Sequence, residues 1–213
     1  MAITGVLLFG FVVFHMLGNL QIFLGQDALN AYAATLQKLP ELLWPARLIL
    51  LTALLLHILV AIQLSFENKK ARPQGYVSKG NVQASYASRT MMLSGVIVLL
   101  FIIYHLAHFT FGRVHSEVFH LTDRMGRHDV YSMVVLSYQN VWISSLYILS
   151  MLLLCLHLSH GFFSLFQSLG LSNEKFQPGL ALFSKIFALI IFIGNSAIPV
   201  AAYFHFLKLP MGS

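Results

Sequence analysis

Charge is what this sequence has least of. Only 9% of its 213 residues are charged, against about 25% in a typical soluble domain. Such a chain cannot cover itself with a water-facing charged surface, so a soluble globular class is excluded and a membrane class indicated. Cysteine is nearly absent. The single Cys155 excludes an internal disulfide and cannot by itself hold an iron–sulfur cluster. No Gly/Ser linker or long charge run divides the chain, so residues 1–213 read as one domain. The formal net charge of +6 is small. It fits loops facing lipid headgroups better than a nucleic-acid surface, and no nucleic-acid partner is expected.

What is present is apolar. Hydrophobic residues make up 58% of the chain, and the mean hydropathy is +0.77. A membrane-spanning helix needs about 20 mostly apolar residues. Five segments qualify, roughly 2–24, 44–66, 90–112, 142–166 and 178–207. The expected fold is therefore an all-α bundle of five transmembrane helices. The first segment lacks a basic leader and a small-residue cleavage site, and it carries a histidine, so it reads as a span rather than a signal peptide. Segment 25–43 has the periodicity of a short interfacial helix, whereas 113–141 reads as a long polar loop. Five spans put the termini on opposite sides. The densest basic cluster, Lys69, Lys70, Arg72, Lys79 and Arg89, lies on the N-terminal side, and the positive-inside rule makes that side cytoplasmic.

Ten histidines are present, and His15, His57, His105, His108, His157 and His160 fall inside spans. A lone histidine in a helix is commonly a hydrogen-bonded packing group. Ionisable groups at membrane depth are costly, however, and usually functional. At a rise of about 1.5 Å per residue, His15, His57, His105 and His157 each lie roughly 10–14 Å from the nearer face. Chain direction sorts them into two levels, His15 with His105 and His57 with His157. Two imidazoles at one depth are too few for a zinc site. They are the number that saturates haem iron for electron transfer. Small residues flank these histidines on the same helices: Gly18, Ala53, Ala61, Gly95 and Gly161. His108 and His160 lie three residues beyond His105 and His157, and depth alone leaves each an equal candidate.

The segments FHMLGNLQIF (14–23), LLHILVAI (55–62), YHLAHF (104–109), DVYSMVVLSYQNVW (129–142) and LHLSHGFFSLFQSLGL (156–171) carry a resemblance. Together they resemble the cytochrome b subunit of succinate dehydrogenase/fumarate reductase, in its single-chain, two-haem, five-helix form. The likeness runs nearly the full chain, through NSAIPV (195–200), and is most specific around His157. It implies haem ligands at His15 in HMLGN, His57 in LLHIL, His105 in YHLAH and His157 in HLSHG, one on each of the first four spans. It thereby favours His105 over His108 and His157 over His160, leaving His108, His160 and Gly161 as neighbours of the haems. The outer haem would take His15 and His105, the inner haem His57 and His157.

The resemblance also implies a function. The chain would be the membrane anchor and electron-transfer subunit of a succinate:quinone oxidoreductase in a bacterial cytoplasmic membrane. A flavoprotein subunit would handle succinate or fumarate, and an iron–sulfur subunit would dock on the cytoplasmic face. Two b haems would connect them to a quinone, with menaquinone expected, in the respiratory chain and tricarboxylic acid cycle. The complex could assemble as a dimer or trimer. Some relatives carry a proton-transferring glutamate where this sequence has Cys155, so that route is expected to be absent. Relatives often have a polar, basic stretch before the position of MAITG, so the natural start is expected to lie further upstream.

Quinone chemistry needs a proton donor near a carbonyl oxygen. Of the carboxylates on the side opposite the N-terminus (Asp27, Glu41, Glu117, Asp123 and Asp129), Glu41 in LPELLWP lies nearest the membrane edge. On the N-terminal side Arg89, Ser94 and Lys70 are candidates for haem propionates. His115, His120 and His128 could form a metal site, although their spacing matches no strong pattern. Two other classes share these features: the two-haem anchor of a hydrogenase or formate dehydrogenase, and a non-haem transporter whose histidines pack or relay protons.

Overall fold

A computed structural model describes residues 1–71 and 90–209, and Arg89 therefore lies outside the described residues. Helix α1 spans Ala2–Asn19 and tightens into a 3-10 turn, Leu20–Leu24. Gly25, at φ 101°, breaks the helix there. Helix α2 then spans Gln26–Gln37 and α3 spans Pro40–Lys70, with the proline in its first turn. Helix α4, Met91–His105, ends in a π turn, Leu106–Thr110. Helices α5 (Val130–Tyr138), α6 (Val141–Ser168) and α7 (Gln177–Tyr203) complete the chain.

Five of these segments are long and apolar enough to cross a membrane. The chain is an all-helical, multi-pass membrane protein. Three boundaries differ most from the hydropathy reading, the first being the start of α3 at Pro40 rather than near residue 44. Helix α3 runs on through Glu67–Lys70, because those residues favour helix although they do not favour lipid. Helix α7 stops at Tyr203 rather than at residue 207, and His205 turns left-handed at φ 58°. The segment 113–141 is more than a loop. It contains α5, whose N-terminus is capped by the Asp129 carboxylate accepting from Ser132 N–H. Asn140 caps α6 in the same way, accepting from Trp142 and Ile143 N–H.

Helices α6 and α7 form the most extensive pair. Helix α1 lies against α3, α6 and α7, while α4 packs on α6. Neither α1–α4 nor α3–α4 is a substantial backbone contact among the described residues. Only 6% of the apolar window of α3 is buried within the chain, and 39% of that of α7. Lipid contributes no hydrophobic drive between helices, so close packing falls to small residues. Gly18 shows this. A Cβ there would stand 2.7 Å from the Tyr32 hydroxyl oxygen, so the glycine seats α2 on α1 rather than a cofactor beside His15.

The densest packing is at the face opposite the N-terminus. Ile22, Leu29, Tyr131, Val135, Tyr138 and Ile198 are buried together there. A polar network holds the cap in place. Asp129, 1% exposed, accepts from Gln26 at 2.7 Å and from Asn30 at 2.9 Å. Asn30 in turn accepts from Tyr131 N–H at 3.0 Å. Arg127 pairs with Asp123 and Asp27, each at 2.7 Å. Burial opposes the charge on Asp129, but hydrogen bonds from Ser132, Asn30 and Gln26 outweigh it and hold the carboxyl below its ordinary range.

Candidate cofactor site among four helices

The histidines of the spans fall in two groups by level, and His15 among them is exposed. On the N-terminal side are His57 of α3 and His157 of α6. His57 Nδ1 is 3.2 Å from Thr4 Oγ1 on α1. His157 Nδ1 is 3.3 Å from Ser94 Oγ on α4. Each hydroxyl has a single proton, and each gives it to the carbonyl three residues back: Thr4 to Met1 O at 2.9 Å, Ser94 to Met91 O at 3.0 Å. With its proton on that carbonyl, the oxygen that faces the imidazole accepts from the ring; turned to the ring, it donates instead. The first arrangement puts the ring proton on Nδ1 and leaves the Nε2 lone pair bare. Neither Nε2 has a hydrogen bond among the described residues. This is how proteins commonly prepare a histidine to bind a metal, by fixing its tautomer and ring from behind.

Glycines bring the neighbouring backbones close to these rings. A Cβ on Gly5 would stand 3.9 Å from His57 Cε1, and one on Gly95 3.5 Å from His157 Cε1. The sequence reading put Gly95 on the His105 face of its own helix, but in the fold it faces His157 on α6. Gly161 packs instead toward the Met91 side chain, 3.7 Å from its would-be Cβ. His160 is half-buried, and no hydrogen bond to its ring occurs among the described residues.

Nearer the opposite face, His15 of α1 and His105 of α4 meet edge to face, with ring centroids 5.8 Å apart. Phe11 stacks on His15 at 5.1 Å. His105 Nδ1 is buried without a hydrogen-bond partner. Leaving such a group unmet costs about 1–3 kcal/mol, so the site has unused bonding capacity.

His108 has none to spare. It is 2% exposed, with Nδ1 3.0 Å from the Tyr147 hydroxyl and Nε2 3.1 Å from Ser137 Oγ. The π turn explains the split. A regular α-helix would put His105 and His108 near one face, but the wider turn swings His108 toward α5 and α6.

The remaining sequence candidates do not join these groups. Glu41 is exposed in the first turn of α3, where a negative charge suits the helix dipole. Lys70 ends the same helix, at the pole that suits a cation. Ser94 faces His157 rather than standing free for a propionate. The loop histidines do not converge on a metal. His115 bonds Ser137 and Glu117, His128 bonds Phe119 O at 2.7 Å, and His120 lies edge-on to the Phe119 ring. No group of three metal-ligating side chains occurs among the described residues, although a site of two histidines is smaller than such a group.

Sequence reasoning missed Thr4. Its only signal was a lone hydroxyl near the start of an apolar span. Tyr147 and Ser137 were missed too, because isolated hydroxyls in spans ordinarily bond their own helix. Comparison with known protein families, curated proteins and solved structures finds no match to this chain.

Proposed function

We propose that this chain is the membrane anchor and electron-transfer subunit of a succinate:quinone oxidoreductase. His57 and His157 would hold one b haem, and His15 and His105 a second. The observation that carries the proposal is the pair of hydroxyls behind His57 and His157, each with a backbone carbonyl as a second partner, an arrangement that supports a proton on Nδ1 and a free Nε2. A packing histidine gains nothing from a bare Nε2. A ligand requires one. The likeness of HMLGN, LLHIL, YHLAH and HLSHG to the cytochrome b subunits supplies the choice of haem and of partner subunits.

Haem bound between two imidazoles supplies a one-electron carrier whose iron has no open position. The rest is the work of the chain. Thr4 and Ser94 fix the tautomers and ring planes of His57 and His157. Gly5 and Gly95 keep side chains away from those rings. The apolar walls of α1, α3, α4 and α6 exclude water. A membrane quinone, with menaquinone expected, would exchange electrons near the His15–His105 level. Flavoprotein and iron–sulfur subunits would meet the N-terminal side.

The test is purification of the full chain from its host membrane, with haem quantification and identification of co-purifying subunits. About two b haems per chain are expected, with a flavoprotein and an iron–sulfur protein in the same complex. A reduced-minus-oxidised spectrum with no b-type α band ends the haem reading. Two haems with hydrogenase or formate dehydrogenase subunits end only the choice of partner.

A further inference from the structure

A second polar assembly lies beside the His15–His105 level and makes no hydrogen bond to those rings among the described residues. It is continuous. The Tyr147 hydroxyl is 3.0 Å from His108 Nδ1, and His108 Nε2 is 3.1 Å from Ser137 Oγ. Ser137 Oγ is 3.3 Å from His115 Nδ1, and His115 Nε2 is 3.2 Å from a Glu117 carboxylate oxygen. The outer end is exposed and the three inner members are buried. The Glu117 side chain is 70% exposed and that of His115 23%. Ser137 is 0% exposed, His108 2% and Tyr147 4%. The inner end reaches the aromatic pocket at His105, whose ring centroid is 6.0 Å from that of Tyr147.

Counting donors gives the chain a direction. The Glu117 carboxylate only accepts, so His115 carries its proton on Nε2. Its Nδ1 then accepts from the Ser137 hydroxyl, whose oxygen accepts from His108 Nε2–H. His108 Nδ1 accepts from the Tyr147 hydroxyl. Every link is satisfied with both histidines neutral. A buried histidine needs two partners to be satisfied, and Tyr147 and Ser137 suffice. Continuation through His115 to an exposed carboxylate is more than packing requires.

We infer that Glu117, His115, Ser137, His108 and Tyr147 form a proton-conducting chain linking the aqueous face opposite the N-terminus to the pocket beside His105. Each transfer is conservative. A proton received by the Tyr147 oxygen displaces the hydroxyl proton to His108. The displacement passes through Ser137 and His115, and one proton leaves at Glu117. Transfer in the other sense starts with a proton taken up at His115. The hydroxyls reset the polarity by rotating, and each imidazole by gaining a proton at one ring nitrogen and losing one from the other. The purpose of the chain, proton exchange with a quinone or quinol at its inner end, rests on the function proposed above. Conduction itself does not.

The test reads conduction without using activity. Full-length chain with ¹⁵N-labelled histidine is placed in lipid nanodiscs and moved into D₂O. Exchange at the His108 ring N–H is followed by NMR. The wild-type ring is expected to exchange readily although it is buried. Ser137→Ala is expected to slow exchange by about a hundredfold, the lower range for losing a positioned proton-transfer group. Ser137→Thr, which keeps the hydroxyl, restores it. His115→Ala slows exchange, and added imidazole restores it. Wild-type exchange in Ser137→Ala overturns the inference, and so does Ser137→Thr as slow as Ser137→Ala. If Ser137→Ala fails to fold, His115→Ala decides, and an imidazole addition without effect overturns the inference. Haem content, measured on the same samples, tests the proposed function separately.

Discussion

Ser94 on α4 holds His157 on α6 from behind, with Oγ 3.3 Å from Nδ1 and its own proton given to Met91 O. Thr4 does the same for His57 from α1. Two histidines on different helices are thus met by hydroxyls on two others, which joins α1 to α3 and α4 to α6.

Removing either hydroxyl frees the ring it orients. Ser94→Ala and Thr4→Val are expected to weaken haem retention by about 10- to 100-fold each, the usual effect of losing a partner behind a metal-ligating histidine. Haem titration of the purified variants measures this. Ser94→Thr, keeping the hydroxyl, should retain most of the affinity. Equal loss in Ser94→Thr and Ser94→Ala would point to packing instead.

The pairing of the histidines makes a second prediction. His57→Ala and His157→Ala should remove the same haem, and His15→Ala and His105→Ala the other. Each leaves about one haem per chain. His108→Ala and His160→Ala should leave both. Pyridine haemochrome assays and redox titration of each variant decide the matter. A haem lost with His108 but kept without His105 would reverse the choice within that pair.

The cap depends on Asp129. Asp129→Ala strands donors on Gln26, Asn30 and Ser132, each costing about 1–3 kcal/mol if left unpaired. The cap formed by α2 and α5 should then loosen while the spans persist. Limited proteolysis and amide exchange of residues 26–37 and 130–138 would register it, and unchanged protection in both segments would refute it.

The same carboxylate sets an acid limit. Its folded-state pKa lies below its unfolded value, about 3.9 for an ordinary aspartate. Its contribution to stability is therefore complete above that value and is lost as pH falls through the folded pKa. Cap protection should be flat from neutral pH down to about pH 5 and fall below about pH 4. In Asp129→Asn this acid-dependent fall should shrink. Amide exchange across that pH range checks both.

Much of this architecture was open to reading in one dimension. Lipid accepts only long apolar helices with internally satisfied backbones, so five spans follow from hydropathy. Chain direction and residue rise then fix the depth of every histidine. The same reading paired His15 with His105 and His57 with His157, and the fold shows a ring contact between His15 and His105. Helix α5 was hidden because its nine residues are too few to span lipid, and hydropathy reports only what lipid accepts. The doublet at His105 and His108 was also hidden, because its separation depends on a π turn set by hydrogen bonding to Phe111 and Arg113 N–H.

Composition and order along the chain therefore determined that this protein lives in a bilayer, how often it crosses, and at which levels its imidazoles lie. Only the tertiary structure decided which face of each helix looks inward. It alone brought Thr4 to His57, Ser94 to His157 and Ser137 to His108, residues far apart in sequence. The reason is physical. Solvent transfer acts on each segment separately and is legible segment by segment. A hydrogen bond between helices depends on rotation and separation, and those are properties of the packed whole.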